Sequence, residues 1–461
     1  MRTFGKLSVI GVIAFAALQL LRPGIPIEPA IAEIQAPLEV RQVLQKDCYS
    51  CHSGERRLSW FDQIAPAYWL VRRDILTARR HLDFSTLGSK PIAQQRAVLY
   101  EAVNMIQLGA MPLPSFQKLH PEARVTSGEL AALKAYLNPW PAAPVPPEVL
   151  LGNTSPRTGA APAANPPRVS LSAVSSELNG LPFEAAFETW KPISFTDRGD
   201  NDTFRFILGN DVAIKAAQSG NISPWPDGAR FAKIAWHRES GPDGLVHPGA
   251  FIQVEFMVKD AQNYRDTDRW GWGRWRGSNL KPYGDGPNFV GECTSCHAPV
   301  RGNDFVYTLP ITAAKVAGQE VLNSNAALPS SLPYQPLGWS PITMYVDPQS
   351  NAMAVLLGND AAMEAVQSIR NAAPTAPPAP TYRSGSVLAL VTWSRRDDPH
   401  WFGARIPANP QSIEFVEVST SIATARYREF RGPVLSENHA DPSLASRRTN
   451  FILTLNPAQL P

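Results

Sequence analysis

Two short motifs contain every cysteine of this 461-residue chain and constrain its fold more than any other feature. The letters CYSCH occupy residues 48–52 and CTSCH occupies residues 293–297, so both motifs have the spacing C-x-x-C-H. This spacing lets two thiols form thioethers with one haem while the adjoining histidine ligates its iron. The alternatives are a C-x-x-C redox pair and half of a zinc site, but zinc needs four ligands in one place and a redox pair needs no such histidine. We therefore predict two covalently bound haem c groups, with thioethers at Cys48, Cys51, Cys293 and Cys296 and axial iron ligands at His52 and His297.

A basic segment followed by an apolar one opens the chain. Arg2 and Lys6 precede a mostly apolar run over residues 7–21, and Arg-Pro-Gly follows it. This order is typical of an export signal, and residues 4–27 would also be long enough for a tilted membrane anchor. A buried N-terminal helix of the first domain is the remaining interpretation. We predict that residues 1–32 are a signal peptide or an anchor in the inner membrane, and that the rest of the chain is periplasmic.

The charge balance bears on the partners of the protein. The chain has 43 Lys and Arg against 40 Asp and Glu, a formal net charge of +3, which gives no reason to expect nucleic acid as a partner. Hydrophobic residues make up 44% and charged residues 18% of the chain, which excludes a disordered acidic chain. The expected partners are a periplasmic electron-transfer protein and a small ligand at one of the haems.

Helical periodicity surrounds the first motif in residues 33–138. Apolar residues recur at helical spacing in the stretches 38–44, 69–76, 96–108 and 129–137, which suits a small all-α domain. The sixth ligand of the first haem iron is predicted to be Met111, because it lies in a loop stiffened by proline and Met/His ligation is common in c-type cytochromes. His81 and His120 are the other candidates.

This region resembles a family of small bacterial haem-binding c-type domains over about residues 40–138. The matching elements are the CxxCHS run, the IAP-x-x-WL-x-x-RD segment, the HL-x-FS segment, the MPLP loop and the HP-x-A run. The resemblance implies an electron-transfer haem, in a domain that often follows an N-terminal anchor.

The pattern changes after a predicted linker over residues 139–184. Most of this stretch is rich in Pro and Ala and nearly uncharged, which favours an extended spacer. Strands are then predicted near residues 204–208, 229–236, 250–258 and 270–275, ahead of the second motif. A haem motif at the end of a β-rich domain is unusual, since ordinary cytochromes c are helical and begin with the motif.

Residues 185–312 resemble the cytochrome P-460 and cytochrome c′-beta family. The matching segments are LGND (208–211), PWPDGARFAK (224–233), EFMVKD (255–260), WGWG (270–273), ECTSCHAPV (292–300) and NDFVYTLP (303–310). The resemblance implies a mainly β fold and a five-coordinate, high-spin haem with His297 as its proximal ligand. It also implies small nitrogen ligands at the open face of the iron, and in the P-460 branch a lysine bonded to the haem edge.

Lys233 is the candidate for this lysine crosslink. Strand alternation places Lys233 on an apolar face with Phe231 and Ala235, whereas Lys259 shares a polar face with Glu255. A lysine amine on an apolar face is costly unless it is paired or chemically used. An ordinary strand lysine that extends to water is the alternative.

A second, haem-less copy of the β domain is predicted over residues 340–457. LGND and QS recur at the same spacing in residues 203–220 and 352–369, but the later stretch has no cysteine and carries Leu390 where Lys233 stands. A structural role as an internal dimer partner is expected, with a docking surface as the alternative. The predicted fold class is therefore multidomain, with an N-terminal all-α cytochrome c-like domain followed by two mainly β (α+β) cytochrome P-460-like domains.

Two functions are compatible with these patterns. One is a haem oxidoreductase that oxidises or detoxifies hydroxylamine or nitric oxide at the second haem, with electrons passing through the first. The other is a non-catalytic cytochrome that binds nitric oxide or only transfers electrons.

Overall fold

Helices make up the N-terminal part of the computed structural model, which describes residues 2–27, 29–55, 58–138, 169–318, 320–370, 380–419 and 425–461. Most of the predicted linker lies outside these residues. The chain divides into two compact units, Met1–Pro139 and Trp140–Pro461. The helices of the first unit are α1 (Arg2–Leu20), α2 (Leu38–Asp47), α3 (Tyr49–His52), α4 (Ala67–His81), α5 (Phe84–Leu87), α6 (Ile92–Gln107), α7 (Pro114–Gln117) and α8 (Ser127–Leu137).

Local sequence signals account for where these helices begin. Helix α8 starts after Thr126, whose side chain accepts a hydrogen bond from the backbone of Glu129 while the Glu129 carboxylate accepts one from the backbone of Thr126. This reciprocal capping satisfies amides that would otherwise have no partner at the helix start. Across the described ranges, no helix is both long and apolar enough to cross a membrane.

Strands dominate the second unit, which confirms the expected change from a helical to a β-rich region. The strands are β1 (Lys191–Arg198), β2 (Thr203–Gly209), β3 (Arg230–Ser240), β4 (Val246–Lys259), β5 (Trp270–Arg276), β6 (Lys281–Pro282), β7 (Ser340–Asp347), β8 (Ala352–Gly358), β9 (Val387–Asp398), β10 (Trp401–Glu417), β11 (Arg426–Arg431) and β12 (Ser436–Asn438). Its helices of eight or more residues are α9 (Asp211–Ser219), α10 (Val290–His297), α11 (Asp360–Arg370) and α12 (Pro442–Thr454).

All the described strands belong to one antiparallel sheet. Its order is β1-β2-β3-β4-β7-β8-β9-β10-β11-β12, with β5 and β6 added beside β4 and with β1 also paired to β10. Both halves of the unit contribute to one large apolar core, in which the rings of Phe195 and Trp393 lie 6.1 Å apart. The two halves therefore share a sheet and a core.

The order of elements repeats between the two halves. Strands β1 and β2, helix α9, strands β3 to β6 and helix α10 correspond in order to β7, β8, α11, β9 to β12 and α12. Both first hairpins have an irregularity at the same place, after Pro192 and after Pro341. Asn210 and Asn359 cap the starts of α9 and α11 with their side chains. Whether residues 340–457 are a second domain of the same family stays a prediction.

Candidate haem sites

The first C-x-x-C-H motif lies at the junction of α2 and α3. Cys51 packs against the buried side chains of Tyr68 and Ile75 from α4. The Nδ1 of His52 lies 3.0 Å from the carbonyl oxygen of Leu82. Because a carbonyl oxygen only accepts, Nδ1 carries the proton and Nε2 has a free lone pair, as an iron ligand requires.

The second motif repeats this arrangement in a different fold. Cys293, Cys296 and His297 lie on α10, and the Nδ1 of His297 donates to the carbonyl oxygen of Phe305 at 2.7 Å. Burial lowers the pKa of His297 to about 4, so the ring is neutral at physiological pH. A neutral imidazole with an oriented Nε2 is the form that ligates iron.

The surroundings of the cysteines bear on the other two interpretations of the motifs, a redox pair and half of a zinc site. Burial raises the pKa of the Cys48 thiol to about 12 and that of Cys293 to about 11. Reactive redox cysteines have lowered pKa values, because the thiolate is the nucleophile. Within the described ranges, no group of three or more His, Cys, Asp or Glu side chains converges as a metal site. The buried thiols are therefore unlike those of a reactive redox pair.

The candidates for the sixth ligand of the first haem differ in how their side chains are held. His120 is buried, its Nε2 lies 3.1 Å from the Asp62 carboxylate, and its Nδ1 lies 3.2 Å from Glu122. Phe116 also stacks on its ring at 4.0 Å. His120 is thus engaged at both nitrogens. Met111 is half-buried in the loop between α6 and α7, and its ligation of iron stays a prediction.

Strand register places four residues in one row across the sheet. Ile207 of β2 pairs with Lys233 of β3, Lys233 with Glu255 of β4, and Glu255 with Arg274 of β5. Paired residues of antiparallel strands project to the same face. The sequence argument treated the face with Lys233 as apolar and the face with Glu255 and Lys259 as polar. The register shows that these are one face, because strand alternation alone does not reveal which faces of neighbouring strands coincide.

Lys233 and Glu255 form an ion pair on this face, and Glu255 also contacts the Arg274 guanidinium at 3.2 Å. Burial lowers the pKa of Lys233 to about 8, against the opposing effect of Glu255. Burial raises the pKa of Glu255, but the positive charges of Lys233 and Arg274 outweigh it and hold this pKa at about 2. Trp272 and Arg274 alternate on one face of β5, and the Trp272 ring lies 4.6 Å from that of His297, so the row lies beside the second motif.

Lys259 has a structural role that the sequence did not indicate. Its side chain is 4% exposed, and its Nζ lies 2.7 Å from both carboxylate oxygens of Asp304 and 4.7 Å from the centre of the Trp270 ring. Asp304 also accepts a hydrogen bond from the backbone of Trp225. This pair fixes the segment after α10, from which Phe305 accepts the hydrogen bond of His297.

Several features of the second site fit a haem. The buried Nε of Arg205 and the Nε1 of Trp272 have no hydrogen-bond partner among the described residues, and the Trp272 ring lies 4.6 Å from that of His297. Buried donors without acceptors are rare, and the carboxylates of a haem are acceptors of a suitable kind. A cleft of about 700 Å³ borders α10, with Arg276, Tyr283, Phe289 and Glu292 among its lining residues.

Comparison with known proteins assigns each motif to a domain. A protein-family model described as haem-binding domain matches residues 8–139, and one described as cytochrome P460 matches residues 184–308. No curated protein matches the chain. The second model ends before β7, so it does not include the second half of the sheet. The chain is therefore a haem protein in which a haem-binding domain is followed by a cytochrome P460 domain.

Proposed function

We propose that this chain is a periplasmic dihaem c-type cytochrome that oxidises or detoxifies hydroxylamine or nitric oxide at its second haem. His52 would hold a first haem, through which the electrons would reach a periplasmic acceptor protein. The observation that carries the proposal is the row of Lys233, Glu255 and Arg274 beside the His297 motif, within the region matched by the cytochrome P460 model.

The residues of the second site would have different roles in holding the haem. Cys293 and Cys296 would tether the haem, and His297 would hold its iron while Phe305 fixes the orientation of the imidazole. The haem supplies the one-electron chemistry and an open coordination position for a small nitrogen compound. Glu255 is ionised at physiological pH, and its charge would hold Lys233 and Arg274 in position beside the haem.

Lys233 is suited to a bond with the haem edge by its pKa. A value of about 8 makes the neutral, nucleophilic amine accessible near neutral pH, whereas an exposed lysine is almost entirely protonated there. We propose that Lys233 forms the crosslink that distinguishes the P-460 branch.

The ion pair between Lys233 and Glu255 supports a second function. In the ion pair with Glu255 the Lys233 amine is protonated, and a protonated amine forms no bond to carbon. If the pair persists when haem is bound, the site is a nitric oxide-binding or electron-transfer centre without turnover.

The haem-loaded protein distinguishes these functions. The proposal requires hydroxylamine-dependent reduction of a dye acceptor and a Soret band strongly shifted to longer wavelength in the ferrous spectrum. It also requires a proteolytic digest in which the peptide that carries the second haem is bonded to the peptide that contains Lys233. Lys233→Leu should retain haem through both thioethers, lose the red shift and abolish oxidation. Lys215→Leu, which changes an exposed lysine on α9, is the matched control and should behave as wild type. A wild-type digest without the Lys233 peptide would support the nitric oxide binder.

The first haem is tested by Met111→Ala. Loss of the thioether should open the iron to carbon monoxide and convert the low-spin spectrum of this haem to a high-spin one. A mutant that still excludes carbon monoxide would show that Met111 is not the ligand.

A further inference from the structure

Three aromatic rings connect the second motif to the haem-less half of the sheet. The ring of His297 lies 5.1 Å from that of Tyr307, and the Tyr307 ring lies 5.4 Å from that of Trp401, both in edge-to-face contact. Tyr307 follows α10 in the chain, whereas Trp401 begins β10 in the other half. The ring series therefore crosses from one half of the unit to the other.

Hydrogen bonds fix Tyr307 at both ends. Its hydroxyl donates to the carbonyl oxygen of Cys296 at 2.7 Å, and its own carbonyl oxygen accepts a hydrogen bond from Nδ1 of His400 at 2.7 Å. The first bond ties Tyr307 to the haem motif and the second ties it to the turn between β9 and β10. Its position is thus set by both halves of the sheet.

Trp401 is held as firmly as Tyr307. Its Nε1 donates to the Asp200 carboxylate at 3.2 Å, and the Arg198 guanidinium lies 4.4 Å above its ring. Arg198 in turn donates to Asp200 at 2.5 Å. Trp401 is nevertheless partly exposed to solvent, unlike Trp272, which contacts the same histidine ring but is 4% exposed. The series that includes Trp401 reaches the surface, whereas contact with Trp272 ends in the core.

We propose that Tyr307 and Trp401 form an electron-transfer path from the proximal ligand His297 to the protein surface. Tunnelling weakens steeply with each gap between non-bonded atoms, so conjugated rings in direct contact favour this direction over saturated side chains. With haem bound, one electron would pass from the ferrous iron, which becomes ferric, to a ferric c-type haem at the surface, which becomes ferrous, with no covalent bond changed. This path rests on the haem at His297 in the proposed function, and it gives the haem-less half a role as supplier of the surface terminus.

Electron exchange of the full haem-loaded chain tests the path. The reduced protein is mixed with an excess of a ferric soluble c-type cytochrome, at a concentration where the oxidation rate no longer rises with added acceptor. Oxidation of the second haem is followed at its own Soret band. Trp401→Leu and Tyr307→Leu should each slow oxidation several-fold at an unchanged midpoint potential. Tyr307→Phe, which keeps the ring, should remain as fast as wild type. Trp339→Leu is the matched control, because Trp339 is also partly exposed but packs on Tyr334 and Phe415, away from the motif.

Three results would overturn the path. One is oxidation of Trp401→Leu and Tyr307→Leu as fast as that of Trp339→Leu. Another is slower oxidation only together with a shifted midpoint potential or a changed iron–histidine stretching frequency, which indicates support of His297 rather than conduction. The third is a digest with no haem on Cys293 and Cys296, which refutes the proposed function as well. If the first result is found in a protein that still oxidises hydroxylamine, the path is refuted and the proposed function is not.

Discussion

The two halves of the β-rich unit share a strand order but differ in what covers the same face of the sheet. In the first half the cross-strand row is Ile207, Lys233, Glu255 and Arg274, next to α10 with the haem motif. In the second half the corresponding row is Leu356, Leu390, Glu414 and Glu429, and α12 follows it in place of α10. A carboxylate is thus retained at the same position of both rows.

The two carboxylates are compensated from different directions. Glu255 is paired within the sheet by Lys233 and Arg274. Glu414 is paired from above by Arg448 of α12, which donates to its two oxygens at 2.7 and 2.6 Å. A buried carboxylate requires such a partner, since an uncompensated charge in the interior is costly. The carboxylate of the first half is therefore compensated by neighbouring strands, and that of the second half by a helix.

The largest expected effect comes from removing Arg448. Arg448→Ala leaves the Glu414 carboxylate without its main partner, and we expect a loss of about 3 kcal/mol in the free energy of unfolding, measured by urea denaturation. Arg428→Ala is the control, because its partner Glu437 is 38% exposed, and it should cost less than about 1 kcal/mol. An equal effect of the two changes would contradict the role assigned to Arg448.

The shared scaffold is tested at two glycines. A Cβ at Gly209 would lie 2.9 Å from the side chain of Ile193, and one at Gly358 would lie 2.9 Å from that of Ile342. Gly209→Ala and Gly358→Ala should therefore each destabilise the protein by about 2 kcal/mol in denaturant unfolding. Gly128→Ala, where a Cβ meets open space, should cost nothing. Clearly different costs at Gly209 and Gly358 would show that the two hairpins are not equivalent.

Acid should weaken the first half through Glu255. Despite its burial, the positive neighbours hold the pKa of Glu255 at about 2, below its ordinary value of 4.5, so the folded protein binds fewer protons than the unfolded chain between these values. This contribution to stability is present above pH 4.5 and is lost as the pH falls towards 2. Unfolding curves of wild type and Glu255→Gln across this window should converge at the acid end, and parallel curves would refute the assignment.

The smallest expected effect concerns the helix caps that recur in the LGND segments. Asn210→Ala and Asn359→Ala each remove a side-chain acceptor from the start of a helix, and each should cost about 1 kcal/mol. Thermal unfolding of the two variants provides the measurement. A cost confined to one half would weaken the structural equivalence that the repeated sequence indicates.

The sequence by itself indicated a haem protein and the change from helices to strands. The predicted attachment depends on five consecutive residues, so Cys48 with His52 and Cys293 with His297 can be recognised without tertiary structure. The LGND repeat could also be recognised from the sequence, because the capping hydrogen bonds of Asn210 and Asn359 are local. Helical and strand periodicities are local as well, and they predicted the order of the two regions.

Only the tertiary structure decided which distant residues meet. Strand alternation could not show that Lys233 pairs with Glu255, or that Lys259 pairs with Asp304, because register between strands depends on turns and irregularities along the whole sheet. The contact of Tyr307 with Trp401 joins residues nearly a hundred positions apart, and no local pattern encodes it. Motifs and helix caps depend on neighbouring residues and can be predicted from the sequence. Charge compensation and ring contacts depend on pairing across a sheet that both halves of the β-rich unit form together.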